Sequence, residues 1–357
     1  MRYFQWRTVL FSISVHREIW KGYPVETIDI EFRELQVRAG ATGLFEKTYG
    51  FYIGQAVMIL TLCVASLCML VFMEGFWVRV VANAVLLAAF ASGQTGFLMH
   101  EVVHKQVFKP SGWYTLVCAC LDFFLGSSTT WWEKKHNIGH HLHSNDPNED
   151  PDVMKMTFVA FTPEYAKAKR GVYRFTTHHQ HQLLPVLLLF QPLHMRFAAA
   201  QWLCKEKPAG ALVGLSLIGL HLVAYLGILF LLLPFWHAVA FAFLHNASLG
   251  LYFGVSFLVN HTGMQIQPTD KPGDFCAQVL TARNISGGWL LSFILGWLNY
   301  QIEHHLCPEM PSSHYQEFAE LVKELCGKEQ VEYHCVSFWK ACTEVYVHLR
   351  TIAKFAA

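Results

Sequence analysis

Four apolar stretches dominate the pattern of the chain. From Thr48 to Met73 no residue carries a formal charge, which is long enough to cross the hydrocarbon of a bilayer. Glu74 and Gly75 interrupt it, and a second stretch runs from about Phe76 to Met99 with Arg79 near its outer end. From Pro208 to Thr269 there is no Lys, Arg, Asp or Glu. That is too long for one span, and Pro234 divides it. The pattern predicts spans at about 50–73, 76–99, 210–233 and 236–258, in two hairpins.

Shorter apolar pieces at 113–131 and 285–300 do not read as spans. The first contains Asp122 and the polar run Ser127–Thr130, and the second is short. Both are expected to be interfacial or buried helices. The piece at 183–203, which carries His194 and Arg196, is expected at the interface as well. The fold class is therefore an all-α integral membrane protein, four transmembrane helices with a helical cap. The divisions are a segment 1–47, a membrane domain 48–320 and a segment 321–357.

Charge orients this layout. The two short turns, near 74–79 and 234–236, contain one basic residue, Arg79. The other Lys and Arg residues lie in 1–50, 100–207 and 270–357. The positive-inside rule then puts both termini and the long central loop in the cytoplasm. The first fifty residues lack the pattern of a cleaved signal peptide. Ten cysteines with no C-x-x-C suit reduced thiols better than a secreted disulfide framework. A net charge of +1 leaves no nucleic-acid footprint.

The candidate chemistry is histidine. His100 and His104 follow the second span, His136, His140 and His141 lie in the loop beyond it, His261 follows the fourth, and His304 and His305 stand near the C-terminus. The topology puts all eight on one face. Residues four apart share a helix face, so His100/His104 and His136/His140 are expected to point together. Eight imidazoles can hold two metal ions and leave room for an exogenous ligand. A lone H-x-x-x-H is more often a hydrogen-bonded core or surface pair, but three clusters on one face favour metal. His100-Glu101-Val102-Val103-His104 has the zinc-protease spacing, yet one zinc leaves the other clusters unexplained. The acidic residues lack the spacing of carboxylate-bridged di-iron bundles.

These residues resemble the membrane fatty acid desaturases, which carry three histidine boxes. The third box, Gln301-Ile302-Glu303-His304-His305, is similar to that of the front-end branch, which has Gln in its first position. Supporting matches are Glu149-Asp150-Pro151-Asp152, Asn260-His261, Thr281-Ala282-Arg283-Asn284 and Pro308-Glu309-Met310-Pro311. The resemblance covers roughly 45–320. Cys307 is a departure, since many relatives have Phe there, and no H-P-G-G haem motif of a fused cytochrome b5 is present.

The resemblance implies a non-haem di-iron centre, two iron ions held by the eight histidines with Gln301 in place of a ninth. It implies an acyl-CoA or acyl-lipid substrate and electrons from a separate cytochrome b5 or ferredoxin. The expected reaction introduces a cis double bond into a long acyl chain with dioxygen, on the carboxyl side typical of front-end enzymes. Acyl chains are inert to acid–base side chains, so the oxidation must belong to a cofactor. An apolar tunnel between the spans is expected, and Trp131 and Trp132 are candidates to line it or to anchor the interface. The expected membrane is endoplasmic reticulum in a eukaryote, or the inner or thylakoid membrane in a bacterium, with the site facing the cytoplasm. Sphingolipid desaturation, hydroxylation or acetylenation on the same centre are alternatives. A histidine-rich metal transporter is an alternative of another class, disfavoured by the uncharged 208–269 stretch. His143, His178, His179 and His181 are expected to be structural or to support the ligands.

Overall fold

The structure is a computed structural model that describes residues 25–154, 156–266 and 274–356. Part of the expected N-terminal segment, 1–24, lies outside the described residues. Four described helices are long and apolar enough to cross a membrane: Tyr49–Phe72, Trp77–Val103, Ala211–Leu232 and Phe235–His261. Their outward faces are apolar, with Leu231 84% and Trp236 74% exposed, which suits lipid.

The second and fourth helices are longer than the hydropathy pattern predicts. Both continue past their apolar stretch, so that His100 and His261 sit inside the same helices that cross the membrane, with His104 as the cap residue of the second. The histidines do not follow the spans on loops. They end them.

Several polar side chains inside the spans are paired with one another. Asn83 Nδ2 donates to the Ser66 carbonyl at 2.9 Å, and Ser66 Oγ donates to Asn83 Oδ1 at 2.6 Å. His245 lies between Ser92 Oγ at 2.9 Å and the Tyr225 hydroxyl at 2.8 Å. Arg196 donates to Asn246 Oδ1 at 2.6 Å and to the Leu125 carbonyl at 2.9 Å.

Arg196 belongs to the piece expected at the interface. It forms two helices, Gln180–Leu188 and Gln191–Glu206, bent by 70° and together apolar enough to count as a broken span or re-entrant loop. The bend is seated on the fourth helix where Gly250 and Gly254 face Leu188. The 113–131 piece is the helix Gly112–Leu125, N-capped by Ser111 and ended by Gly126 in the left-handed region.

The all-helical expectation misses one feature. Asn284–Ser286 pairs in parallel with Cys335–Ser337. Its three-residue strands are too short for a period to show, and their pairing partner lies about fifty residues away in sequence. The helix Trp289–Ile294 follows, tucked against the spans by a hydrogen bond from Gln94 Nε2 to the Phe293 carbonyl at 3.2 Å.

At the histidine-bearing end the helices Val25–Ala41, Phe275–Leu280, Gln301–Leu306 and Tyr315–Lys328 share a core of Ile28, Leu35, Val279, Ile302, Phe318 and Val322. The helix Phe338–Ala353 packs on the end of the fourth span, with Ala341 against Val259.

A Cβ added at Gly250 would lie 2.0 Å from the Leu188 carbonyl oxygen. Gly250→Val is expected to destabilise the protein by about 1–3 kcal/mol through overpacking, read as a lower thermal midpoint in detergent. Gly219→Ala, which meets nothing within 4 Å, serves as the control and is expected to leave the midpoint unchanged or raised.

Candidate metal centre

Eight histidines from four chain segments meet in two adjoining groups. The side-chain nitrogens of His100, His104, His136, His141 and His304 lie within 4.8 Å of one another, and those of His140, His261 and His305 do the same. All but His261, which is partly buried, are buried. Rings stack across the boundary, with His141 and His305 centroids 4.3 Å apart.

His136 and His140 do point together as expected, their rings stacked with centroids 5.2 Å apart, but they are sorted into different groups. The segment Glu133–His140 winds as a π-helix, with the His141 N–H donating to the His136 carbonyl five residues back. In that winding residues five apart return to the same side. His136 therefore shares the first group with His141, their Nε2 atoms 3.2 Å apart, while His140 joins the second. His100 Nε2 is 2.8 Å from His136 Nε2. An ion with imidazole nitrogens at about 2.0–2.1 Å and near-right angles separates neighbouring nitrogens by about 3 Å, so this spacing is that of ligands to one ion.

The second group has its tautomers set by fixed acceptors. His140 Nδ1 lies 3.0 Å from Asp150, whose carboxylate also accepts the N–H groups of Asn145 and Asp152 at 2.8 Å each. His261 Nδ1 donates to the Thr281 carbonyl at 3.0 Å. His305 Nδ1 donates to Gln278 Oε1 at 2.9 Å, and Gln278 is oriented by donating Nε2 to the His141 carbonyl. The His261 and His305 rings thus keep an unprotonated Nε2 for the shared space, and Asp150 fixes the orientation of the His140 ring. In the first group the Tyr315 hydroxyl lies 3.0 Å from His304 Nδ1.

The donor set fits a metal. Nε2 of His104, His304 and His305 are buried with no hydrogen-bond partner, an expense that bound metal removes. Burial and neighbouring imidazoles hold His104, His136, His141, His304 and His305 well below the ordinary histidine range, which favours the neutral ring that a metal can bind. Burial lowers His140 too, but Asp150 and Asp152 outweigh it and hold that ring above the ordinary value. Burial pushes the Glu303 carboxyl up to about 7; Asn284 and Tyr333 donate to it.

Gln301 stands beside the second group. Its Nε2 is 2.9 Å from His261 Nε2, and its Oε1 accepts from Asn260 at 3.1 Å. Among the other histidines, His179 packs on Phe175 and His181 on Tyr346, and neither belongs to the metal groups.

Sequence reasoning missed the acceptors. Asp150 was legible as part of a motif but not as the partner of His140, ten residues away. Thr281 was likewise legible only as part of a motif, and Tyr315 and Gln278 carry no signal of their own, because their roles exist only once the chain has folded.

Two spaces adjoin the centre. A cavity of about 510 Å³ with a mixed lining reaches His104, His141 and His305, with Lys105, Glu133 and Asn137 beside Phe32, Val103 and Phe275 in its wall. An apolar slot of about 40 Å³ is lined by Met99, Trp132, Leu249, Phe253 and Phe257. The Trp132 ring stacks on His136 with centroids 5.0 Å apart.

The family model described as "Fatty acid desaturase" matches residues 74–337. Three curated relatives are each 26% identical to this chain. The "Acyl-lipid (9-3)-desaturase" of Physcomitrium patens aligns over 338 residues, 92% of this chain and 63% of that protein. The "Delta(8)-fatty-acid desaturase" of Helianthus annuus aligns over 355 residues, 93% and 75%. The "Acyl-lipid 8-desaturase" of Rebecca salina aligns over 264 residues, 70% and 58%. The chain thus spans about three fifths of the length of the first and third of these relatives.

Asp150 offers a direct test of how the centre is built. Asp150→Asn keeps the shape but removes the charge that fixes His140. Cobalt(II) titration of the metal-free protein is expected to show affinity lower by roughly 10–100-fold, with the helical circular dichroism retained.

Proposed function

The chain belongs to the fatty acid desaturase family, and from that premise we propose that it is a membrane acyl desaturase, front-end in regiochemistry, with a di-iron centre. The observation that carries this reading is the convergence of eight imidazoles in two adjoining groups at the end of apolar spans. His100, His104, His136, His141 and His304 are assigned to one ion and His140, His261 and His305 to the other, with Gln301 facing the second. Iron held there supplies the activation of dioxygen that hydrogen removal from an unactivated chain requires.

The protein's own residues do the rest. The rings are preoriented by Asp150, Thr281 and Gln278, so little reorganisation accompanies binding. The slot beside Trp132 receives acyl methylenes and keeps water from them. The balance is one dioxygen, two electrons, two protons and two hydrogens from adjacent carbons, giving one cis double bond and two waters. The electrons come from an external carrier, cytochrome b5 or ferredoxin, and the cavity over His104, His141 and His305 is its side of approach.

The spans pair as two hairpins within a desaturase domain of 48–320, and the histidine end faces the cytoplasm. The membrane is endoplasmic reticulum in a eukaryote, or inner or thylakoid membrane in a bacterium.

Expression in a host given defined fatty acids, with double bonds located by mass spectrometry, is expected to yield a new cis bond on the carboxyl side of an existing one. Purified protein should carry about two irons per chain, from the ligand count; one tight zinc with no iron would refute the centre. His140→Ala and His304→Ala should abolish turnover. Gln301→His should keep partial activity because imidazole also coordinates, and Gln301→Ile should be nearly inactive. Full activity in the Ile variant would remove Gln301 from the site.

Single cysteines in a cysteine-free background test the orientation. Exposed positions Glu149 and Lys328 are expected to react with an impermeant maleimide from one side, and Gly75 from the other. Opposite labelling of Glu149 and Lys328 would rule out the shared face.

A further inference from the structure

The chain reaches the bent pair of helices through a segment rich in cations. Between Glu164 and Glu206 there is no Asp or Glu, while Lys167, Lys169, Arg170 and Arg174 fall within eight residues. The segment takes in the end of the helix Pro163–Ala168, a two-residue link and the start of the helix Gly171–His178. Its apolar side chains are not packed away. Val172 is 62% exposed, Tyr173 43% and Phe175 60%. Large apolar groups left open together mark a surface that meets something.

The level of this segment follows from its neighbours. Gly263 lies two residues beyond His261, where the fourth span ends, and a Cβ on it would sit 3.2 Å from that of His348. The next residue, Leu349, accepts a hydrogen bond from Gln180 Nε2 at 3.0 Å. Gln180 opens the first helix of the bent pair, and Leu188 closes it against Gly250. Gly250 is eleven residues before His261, about 16 Å along a helix, and the helix Gln180–Leu188 is about 13 Å long. That helix therefore runs from the level of the span's end down into the bilayer. Gly171–His178 precedes it by one residue and sits at the rim where the chain goes in. Arg174 Nε holds it there by donating to the Ala356 carbonyl at 2.9 Å. Exposed apolar surface resumes in the bent pair at Val186, Phe190 and Leu193.

The cations have no anion. Among the described residues none of the four forms an ion pair with a carboxylate. Lys169 Nζ donates to the Met156 and Thr157 carbonyls, and Arg170 Nη1 to the Lys167 and Lys169 carbonyls at 2.8 Å each. Lys167 Nζ lies 5.2 Å from the centroid of the Phe355 ring. Carbonyl dipoles and a ring face leave the net positive charge in place. A zwitterionic headgroup brings no net charge to meet it, and an anionic one does. An acidic protein would also bring charge, but apolar side chains at the bilayer rim face lipid.

We propose that Lys167–Phe175 is a docking surface for anionic phospholipid. Val172, Tyr173 and Phe175 enter the edge of the hydrocarbon. Lys167, Arg170 and Arg174 meet the negative headgroups, each basic residue near such a surface adding to the attraction. The contact fixes the point where the bent pair enters the bilayer. It rests on the spans and not on the desaturase reading.

The test uses the full chain in nanodiscs of phosphatidylcholine with a trace of photoreactive lipid. The probe carries a diazirine on its acyl chain near the glycerol, under either a phosphatidylserine or a phosphatidylcholine headgroup. Peptides covering 167–175 should be labelled roughly tenfold more by the serine probe, and the span Ala211–Leu232 equally by both. The triple variant Lys167→Gln, Arg170→Gln, Arg174→Gln should bring the ratio at 167–175 close to one. In the unaltered protein the same preference should fade as salt is raised, because exposed charges are screened, and this arm needs no variant to fold. Val172→Ser with Phe175→Ser should lower labelling by both probes alike. Equal labelling of 167–175 by the two probes, or a preference indifferent to both the triple substitution and salt, would overturn the anionic recognition. Labelling by neither probe would take the segment off the bilayer and overturn the lipid assignment, leaving an acidic protein as the occupant.

Discussion

The structure depends on packing eight imidazoles together, seven of them buried, with ring nitrogens that meet in two adjoining groups. Buried donors and acceptors without partners are expensive, and here several ring nitrogens have none. The chain offsets this by committing the opposite nitrogen of each second-group ring to an acceptor held from outside. Asp150 is itself fixed by two backbone N–H groups, and Gln278 by the His141 carbonyl. Rotating any one of these supports would turn a lone pair into a proton pointing at its neighbours. The hydrogen-bonded shell is therefore as much a part of the centre as the rings.

The spans supply the rigidity this requires. His100 and His261 ride on helices that cross the membrane, so the positions of those two rings are set by helix packing inside the bilayer. Small residues allow that packing to be close. A Cβ on Gly96 would strike the Phe253 ring at 2.3 Å, and Gly250 and Gly254 admit the bent re-entrant pair. A loop would hold the same rings less firmly.

Much of this was legible in the sequence because it depends on local pattern. Uncharged runs of about twenty residues can only be spans, and three histidine clusters on one face of a topology derived from charge point to one centre. What the local pattern could not show was the sorting of the rings. The i, i+4 rule pairs His136 with His140, but the π-helical turn sends His140 to the other group, and a single extra residue per turn leaves no trace in composition. Tyr315 and Gln278 were equally silent, being ordinary residues whose value comes from contacts with distant parts of the chain, and Thr281 showed as part of a motif but not as the partner of His261. The short parallel ladder escaped for the same reason.

Arg283 shows how the membrane body and the site are joined. It is almost fully buried. Its guanidinium grips the Val259 and Thr262 carbonyls on either side of His261 and turns its remaining edge to Glu344. A helix end normally leaves its last carbonyls unpaired, and here one fork of donors gathers those flanking His261, a bidentate role that Lys cannot fill. The same carboxylate that balances Arg283 reaches His334 at 3.0 Å and stands 3.7 Å from Lys340. The end of the fourth span is thus tied on one face to the histidine centre and on the other, through Arg283 and Glu344, to the charged cluster of His334 and Lys340.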